Sequence, residues 1–358
     1  MKQTNPLIVV IYDGIDNSVF DSQVLAPLLK QEQHDPSRRI ILVTFEKKKE
    51  DAKKFYDKLP ASSSITLLVR KKIPFFGTIS LIAAVHSLKQ LLKQYPSYSL
   101  MARGPIAGFI CLQASTAAAC TSLTMQARGL LAQEYAYTQS SKKTGIASLW
   151  HALRARQFFD LERCVYAHSA VHEKIPYTIQ AVSKALGEYL ITTYDAVRSK
   201  ITIAHHDIPD IIPTAQRSLW KEQVRASLAI DPQAMVYCYN GSIKAWQCPE
   251  MVIAYFVAKL QENNNALLYI LTQDNKQFKA LVTHYALPET QYRIVNVPHR
   301  DVYRYLAAAD VGLMFREPHI VNWVSRPTKV LEYKAVGLAI EHNNTISWIQ
   351  EKWLALDT

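Results

Sequence analysis

The chain has few cysteines, and their spacing indicates neither a metal site nor a disulfide framework. The five cysteines are odd in number and scattered along 358 residues, without a C-x-x-C pair: Cys111, Cys120, Cys164, Cys238 and Cys248. Zinc modules and disulfide-stabilised domains space their cysteines closely and in even numbers. We therefore expect a reducing compartment and no structural metal.

Long hydrophobic runs are also missing. Residues 7–11 are too few for the hydrophobic region of a signal peptide, and the apolar stretch 104–125 is interrupted by glycine, proline, glutamine and hydroxyl residues. Hydrophobic residues make up 49% of the chain and charged residues 20%, as in ordinary folded soluble proteins. The length allows two domains with substantial cores, and we expect a cytoplasmic location.

In the first 200 residues, acidic residues are fewer than basic ones. They hold 26 Lys+Arg and 15 Asp+Glu, a difference of +11, whereas residues 201–358 hold 15 of each. Charge confined to one domain indicates a surface that meets anions, either lipid headgroups or a polyanion, or else a merely solubilising surface. The interleaved aromatic and basic residues of nucleic-acid binders are absent, so we expect no nucleic acid partner.

Strand and helix patterns alternate along the chain. Residues 7–12 form a buried-strand run, and helical spacing starts at Phe20 after a polar loop. Residues 39–45 are the next strand, and the charge-rich stretch 46–59 is typical of a solvated helix. A second series of strands starts at residues 235–239. This alternation predicts an α/β protein of two Rossmann-like, doubly wound domains, residues 1–205 and 206–358.

One stretch near the C-terminus predicts an anion-binding site. The polar segment Ser325-Arg326-Pro327-Thr328-Lys329 follows a buried strand and opens a helix, with Ser325 as the expected N-cap. A helix N-terminus with a lysine suits a diphosphate, and the carboxylate of Glu332 can accept hydrogen bonds from ribose hydroxyls. The pattern fits a sugar-nucleotide site. An ordinary helix start with an exposed Glu332 is the alternative.

The same stretch resembles the nucleotide-sugar end of bacterial glycosyltransferases of the family 4 type, which have the two-domain GT-B fold with the active site in the cleft between the domains. The resemblance is carried by the string AAADVGLMFRE and by VNWVSRPTKVLEYKAVGLAI after it. Six residues stand at the positions of the family's helix motif: Pro327, Thr328, Lys329, Glu332, Tyr333 and Gly337. The resemblance implies that Glu332 holds the donor ribose. The first glutamate of the family's E-x7-E pair falls on Val324, and Glu317 or Asn322 are candidate substitutes.

The turn Asn240-Gly241-Ser242 resembles the family's diphosphate-binding turn. Relatives carry an arginine after the glycine and a lysine about five residues later, whereas this chain has Ser242 and Gln247 there. Losing one such donor to the departing diphosphate typically costs on the order of a hundredfold in rate. Lys244, Arg316 and Lys329 are candidate replacements, and the resemblance implies that His299 lies near the nucleobase.

Three N-terminal strings resemble the acceptor side of the same group. The loop YDGIDNSVFDSQVL supplies Gly14, Ser18 and Gln23, and the string MARGPIAGFICL supplies Arg103. The string QARGLLAQEY supplies Arg128 and Glu134, which as an alternative form a structural ion pair. The resemblance implies that Arg103, Arg128 and Glu134 are the catalytic candidates on the acceptor side.

The resemblance implies transfer of a sugar from a UDP- or GDP-linked donor to a glycan or polyprenol-linked acceptor at the cytoplasmic membrane face. The reaction would be retaining and metal-independent, with no cofactor besides the donor. We expect membrane contact through a basic and aromatic segment, namely Arg70, Lys71, Lys72, Phe75 and Phe76. As the alternative, the two phenylalanines cap the domain core. Relatives usually continue beyond the last predicted strand, so we expect a shortened C-terminus. A degenerate GT-B protein that binds without efficient transfer is the alternative; a sugar-nucleotide epimerase would need paired cleft carboxylates, which the sequence does not reveal.

Overall fold

The computed structural model describes residues 5–15, 20–47, 55–57, 59–60, 63–139, 146–167, 175–205 and 208–350. The chain divides into two compact units, Met1–Asp207 and Ile208–Thr358, called here the first and the second unit. In each unit, the described strands form one parallel sheet. Both units therefore have the architecture that the alternating pattern predicts.

The sheet of the first unit contains seven described strands in the order β3-β2-β1-β4-β5-β6-β7. The strands are β1 Leu7–Ile11, β2 Ile40–Glu46, β3 Thr66–Lys71, β4 Tyr98–Arg103, β5 Cys120–Ala127, β6 Tyr177–Ala181 and β7 Ile201–Ile203. Every residue of β1 and β2 is buried, as expected for parallel strands covered by helices on both faces. The described α-helices are α1 Ala26–His34, α2 Ile82–Leu92, α3 Gly104–Ala114, α4 Leu131–Gln139, α5 Ile146–Tyr166 and α6 Lys184–Tyr194.

The sheet of the second unit contains five described strands in the order β10-β9-β8-β11-β12. They are β8 Met235–Asn240, β9 Ala266–Leu271, β10 Tyr292–Val295, β11 Val311–Met314 and β12 Ala339–His342. The described α-helices are α7 Thr214–Ser227, α8 Pro249–Glu262, α9 Asn275–His284, α10 Val302–Leu306, α11 Ile320–Trp323, α12 Thr328–Ala335 and α13 Ser347–Gln350. Alternate residues of β9 enter two different cores, so this sheet too is buried on both faces.

Strand order positions the candidate sites. In the first unit β1 lies between β2 and β4, and in the second unit β8 lies between β9 and β11. The chain order reverses direction beside β1 and beside β8. Ligands of open parallel sheets bind outside the carboxyl ends of the strands at such points. The loops after β1 and β8 are therefore expected to carry ligand-binding residues.

One helix has a side-chain cap at its N-terminus, and one predicted element needs correction. Ser183 caps α6, because its hydroxyl accepts the N–H of Leu186 at 3.0 Å. Glu46, which we predicted in a solvated helix, is instead the buried last residue of β2. Among the described residues, no helix is both long and apolar enough to cross a membrane.

Two of the five residues predicted for membrane contact are covered by neighbouring parts of the first unit. The prediction for Phe75 is wrong, because its ring is buried and stacks on Phe158 with 4.8 Å between centroids. Lys72 is half-buried over the ring of Tyr12, and burial lowers its pKa against the opposing effect of nearby carboxylates. The remaining three are nearer the surface: Arg70 and Lys71 end β3, and Phe76 is exposed.

Candidate functional site

In the second unit, the predicted helix start is wrong by two residues, because the N-cap is Pro327 and not Ser325. Helix α12 begins at Thr328, and Pro327 occupies the N-cap position with an extended backbone, φ −66° and ψ 133°. Ser325 instead donates its hydroxyl to the carbonyl of Asn322 at 2.8 Å, which closes the turn after α11. A proline at the boundary fixes φ and has no N–H to lose, so the helix starts immediately after it.

Lys329 extends from the first turn of α12 to the loop after β8. Its ammonium donates to the side-chain oxygen of Gln247 and lies 4.9 Å from the ring centroid of Tyr239. Burial lowers its pKa well below the ordinary value, the positive charge of Arg316 lowers it further, and Glu332 opposes both effects. A lysine that is poorly hydrated and close to another cation is electrostatically suited to an anion.

Gly241 provides the space for this ammonium. A Cβ atom at position 241 would lie 1.8 Å from Nζ of Lys329 and 2.6 Å from Oε1 of Gln247. Real Cβ atoms do not approach other heavy atoms this closely, so any larger residue would displace the lysine. The glycine predicted for the diphosphate turn therefore has a direct steric role in positioning Lys329.

Ser242 and Gln247 stand where the resembling family carries an arginine and a lysine. Both side chains are neutral, and a hydrogen bond joins them. The amide of Gln247 donates to the hydroxyl of Ser242 at 3.0 Å, and the hydroxyl of Tyr239 lies 2.7 Å from the Ser242 carbonyl. Lys244 is exposed, with its ammonium 5.1 Å from the centroid of Trp246. Ser242 therefore supports Gln247, and Gln247 in turn holds Lys329.

Glu332 is buried, so the alternative of an exposed helical glutamate is wrong. Only 6% of its surface is exposed, and its Oε2 accepts the side-chain amide of Asn240 at 2.7 Å. The next residue, Tyr333, is buried and accepts the backbone N–H of Asn240 at 3.0 Å. Asn240 ends β8, so it fixes the carboxylate at the carboxyl edge of the sheet. The sequence analysis did not identify this contact.

Tyr333 holds α12 against the sheet through a close approach at Gly312. A Cβ on Gly312 would lie 2.4 Å from Cδ2 of the Tyr333 ring. The glycine of the DVGL strand is therefore needed for helix packing. The position of Glu332 depends on this packing.

Arg316 follows β11 and is also buried. Asn343 fixes its backbone by accepting the Arg316 N–H at 3.2 Å and donating its amide to the Arg316 carbonyl at 2.7 Å. The guanidinium donates to the carbonyl of Phe315 at 3.0 Å, and its charge acts on Lys329. Arg316 and Lys329 thus place two basic side chains near one edge of the sheet.

Two residues of the loop before α12, Glu317 and Asn322, are the candidate substitutes for the family glutamate that Val324 replaces. Val324 is fully buried, and the Asn322 amide donates to the Glu317 carbonyl at 2.9 Å, so Asn322 stabilises the loop backbone. Glu317 is exposed and stays a candidate. The backbone of His299 begins a short 3-10 turn, and its side chain lies outside the described part of the structure.

In the first unit, the loop after β1 is closed by a residue that the sequence analysis missed. The carboxylate of Glu46 accepts the N–H of Ile15 at 2.9 Å and the hydroxyl of Thr44. Gly14 has a positive φ of 85°, and a Cβ there would lie 2.7 Å from Oε2 of Glu46. Gly14 is therefore required by the turn and by the close carboxylate. Ser18 lies outside the described residues.

Arg103 and Gln23, predicted separately, are in contact. Arg103 ends β4 and donates to Oε1 of Gln23 at 2.5 Å and to its carbonyl at 3.4 Å. Gln23 lies in the π-helical turn Asp21–Leu25. The contact joins the segment after β1 to the end of β4. These two strands are neighbours in the sheet.

Glu134 lies in the first turn of α4 and folds back over Gly129. A Cβ on Gly129 would be 2.1 Å from its Oε1. The side chain of Glu134 is exposed on one side. Partial loss of hydration, together with the negative charge of Asp13, raises its pKa to about 7. Asp13, whose charge acts on Glu134, precedes Gly14 in the loop after β1.

The N-terminus of α4 is capped by another residue that the sequence analysis missed. The buried carboxylate of Glu162 accepts the N–H groups of Leu131 and Ala132 at 2.7 and 3.1 Å, and the hydroxyl of Tyr194 at 2.8 Å. This cap fixes the helix that carries Glu134. Within the described ranges, no three His, Cys, Asp or Glu side chains come together as a possible metal site.

Known structures resemble this fold, although no protein-family model and no curated protein matches the chain. HepE of Anabaena, solved with UDP and glucose, has a TM-score of 0.64 and 12% identity over 97% of this chain and 82% of its own. A glycosyltransferase of Rickettsia africae has a TM-score of 0.64 and 11% identity over 97% and 81% of the two chains. WaaG, a glycosyltransferase involved in lipopolysaccharide biosynthesis, has a TM-score of 0.61 and 14% identity over 96% and 82%.

At these identities the likeness establishes the fold alone. All three structures have the GT-B fold of two Rossmann-like domains, and the sheets of seven and five described strands match it. The predicted fold class is therefore confirmed.

Proposed function

We propose that the chain is a glycosyltransferase that transfers a sugar from a UDP- or GDP-linked donor to a glycan or polyprenol-linked saccharide. The observation that carries the proposal is the grouping of Lys329, Arg316 and Glu332 around the loop after β8. Two cations suit a diphosphate, and a buried, fixed carboxylate suits ribose hydroxyls. The named activities of WaaG and the Rickettsia africae protein support the same class.

In this proposal, Lys329 and Arg316 stabilise the negative charge that develops on the departing nucleoside diphosphate. Donors that are already oriented toward the developing charge contribute most to such steps. Gln247 keeps the ammonium of Lys329 in place, and Gly241 leaves room for it. Glu332 binds the ribose and thereby fixes the position of the whole donor in the site.

The acceptor side is proposed for the loop after β1 and the start of α4. Gly14, Gln23, Arg103, Arg128 and Glu134 are its candidates. A carboxyl group whose pKa is raised to about 7 suits proton transfer at neutral pH, which makes Glu134 the candidate for that role. The retaining and metal-independent character, and the cytoplasmic membrane face, are part of the proposal and come from the family resemblance.

A degenerate GT-B protein that binds a nucleotide sugar without efficient transfer is the second candidate. The neutral pair of Ser242 and Gln247 favours it, because it replaces two cations of the resembling family. The two functions differ in turnover, since both require donor binding.

Release of UDP or GDP from nucleotide sugars, measured with and without a lipid-linked saccharide acceptor, distinguishes them. We expect release with one nucleotide class, about a hundredfold slower in Lys329→Ala and unchanged in the exposed control Lys276→Ala. Binding without release in the native protein would support the degenerate protein instead. Neither binding nor release with any nucleotide sugar would contradict both functions.

A further inference from the structure

The first unit carries a group of large apolar side chains that no core covers. Three come from the segment after β3 and the start of α2, and three come from the beginning of α5. The exposed fractions are 67% for Phe76, 79% for Ile79, 63% for Ile82, 64% for Leu149, 69% for Trp150 and 50% for Leu153. We call these six side chains the apolar surface. Exposed clusters of this kind mark interaction sites in soluble proteins.

The two halves of the apolar surface belong to one packed structure. The guanidinium of Arg154 lies 4.9 Å above the ring centroid of Phe76, and Phe75 beside it stacks on Phe158 of the same helix at 4.8 Å. Leu149 and Leu153 are four residues apart, so they share a face of α5. The helix and the preceding segment therefore present their apolar side chains side by side.

Basic residues outnumber acidic ones in the stretch of sequence that carries the apolar surface. Residues 71–159 contain ten lysines and arginines and a single acid, Glu134, which gives a difference of 10 − 1 = +9. Arg154 lies within the apolar surface, Lys71 is exposed at the end of β3, and Lys89 is exposed on α2. This excess of positive charge also explains most of the +11 of the whole chain.

We propose that the apolar surface inserts into the interface of a membrane that contains anionic lipids. Trp150 and Phe76 are suited to the headgroup region, the aliphatic side chains to the acyl boundary, and the surrounding cations to lipid phosphates. A second copy of the chain fits less well, because a symmetric contact would bring Arg154 and the neighbouring cations of both copies together. The proposed surface keeps Lys71 and Phe76 of the predicted segment and leaves out Phe75, which is buried, and Lys72, which is half-buried.

Vesicle co-sedimentation of the full chain tests this proposal. The vesicles are phosphatidylcholine alone and phosphatidylcholine with phosphatidylglycerol, at low and high salt. The variants are Trp150→Ser with Leu153→Ser, and Ile79→Ser with Ile82→Ser. The control, Ile211→Ser with Leu219→Ser, removes residues of the second unit that are 62% and 48% exposed.

We expect binding to the anionic vesicles, weakening at high salt, and at least about tenfold weaker binding in both paired variants but not in the control. In the native protein, hydrogen exchange should slow at residues 76–82 and 148–154 when anionic vesicles are added, a result that depends on no variant. Absence of vesicle binding, or equal losses in the control, would overturn the proposal. So would a native dimer that the paired variants dissociate, with no lipid binding.

Discussion

Replacing Gly241 by alanine tests whether the loop after β8 positions Lys329. The new Cβ would lie 1.8 Å from Nζ of Lys329 and 2.6 Å from Oε1 of Gln247. Both atoms are ends of flexible side chains, so the backbone can stay in place while the ammonium moves away. We therefore expect a folded protein whose Lys329 no longer reaches its present position.

The size of the effect follows from the lost contact. A hydrogen bond between a charged donor and an anion contributes about 1.5 to 3 kcal/mol, which corresponds to roughly tenfold to a hundredfold in affinity. Calorimetric titration with UDP and GDP should show this weakening in Gly241→Ala for the nucleotide that the native protein binds. Its melting temperature should stay close to the native one.

A double-mutant cycle separates this mechanism from a general disturbance of the turn. If Gly241→Ala acts through the lysine, the double variant with Lys329→Ala should bind no more weakly than Lys329→Ala alone. Native-like affinity in Gly241→Ala, or losses that add in the double variant, would refute the reasoning.

Three further predictions concern the structural supports of the sites, each measured as a free energy of unfolding in denaturant. Gly312→Ala should destabilise the chain by about 1 to 3 kcal/mol, because its Cβ would lie 2.4 Å from the buried Tyr333 ring; an unchanged value would contradict this packing. Glu162→Ala should cost about 3 kcal/mol or more, because two buried donors and one partly buried donor lose their acceptor, whereas Glu188→Ala on the surface should cost far less. Asp310 has a lowered pKa: burial alone would raise it, but Lys221 at 2.6 Å, the Val236 N–H at 2.8 Å and Arg225 at 2.8 Å outweigh burial. The ionised Asp310 carboxylate therefore stabilises the fold above the ordinary pKa of aspartate, and this stabilisation is lost as the pH falls through the lower pKa of the folded state. The difference in free energy of unfolding between the native protein and Asp310→Asn should shrink in acid. A difference that does not change with pH would contradict the assignment.

The strands were predictable because parallel strands buried on both faces are continuous apolar runs. β1, β2 and β9 are almost wholly apolar, and the observed β1, β2 and β8 differ from the predicted strands by one residue at one or both ends. Glu46 shows where this signal stops. In the sequence, a buried carboxylate at the end of a strand cannot be distinguished from the first residue of the charge-rich stretch that follows. Its role depends on contacts with Gly14 and Ile15, which are far away in sequence.

The candidate donor site was predictable in its residues but not in their contacts. Lys329 and Glu332 follow from the helix motif, whereas Gln247 and Asn240, which hold them, belong to segments more than 80 residues away. Phe75 and Phe76 are adjacent and chemically identical, yet one ring is buried and the other exposed. Their difference depends on α5, whose position local periodicity does not reveal.

Titration with nucleotides that differ only in the ribose tests the central claim most directly. If the buried Glu332 carboxylate accepts the ribose hydroxyls, the native protein should bind UDP or GDP about tenfold or more tightly than the 2′,3′-dideoxy analogue. Glu332→Ala should lose this preference, while the exposed control Glu289→Ala should keep it. A preference that survives in Glu332→Ala, or no nucleotide binding in the native protein, would contradict the account.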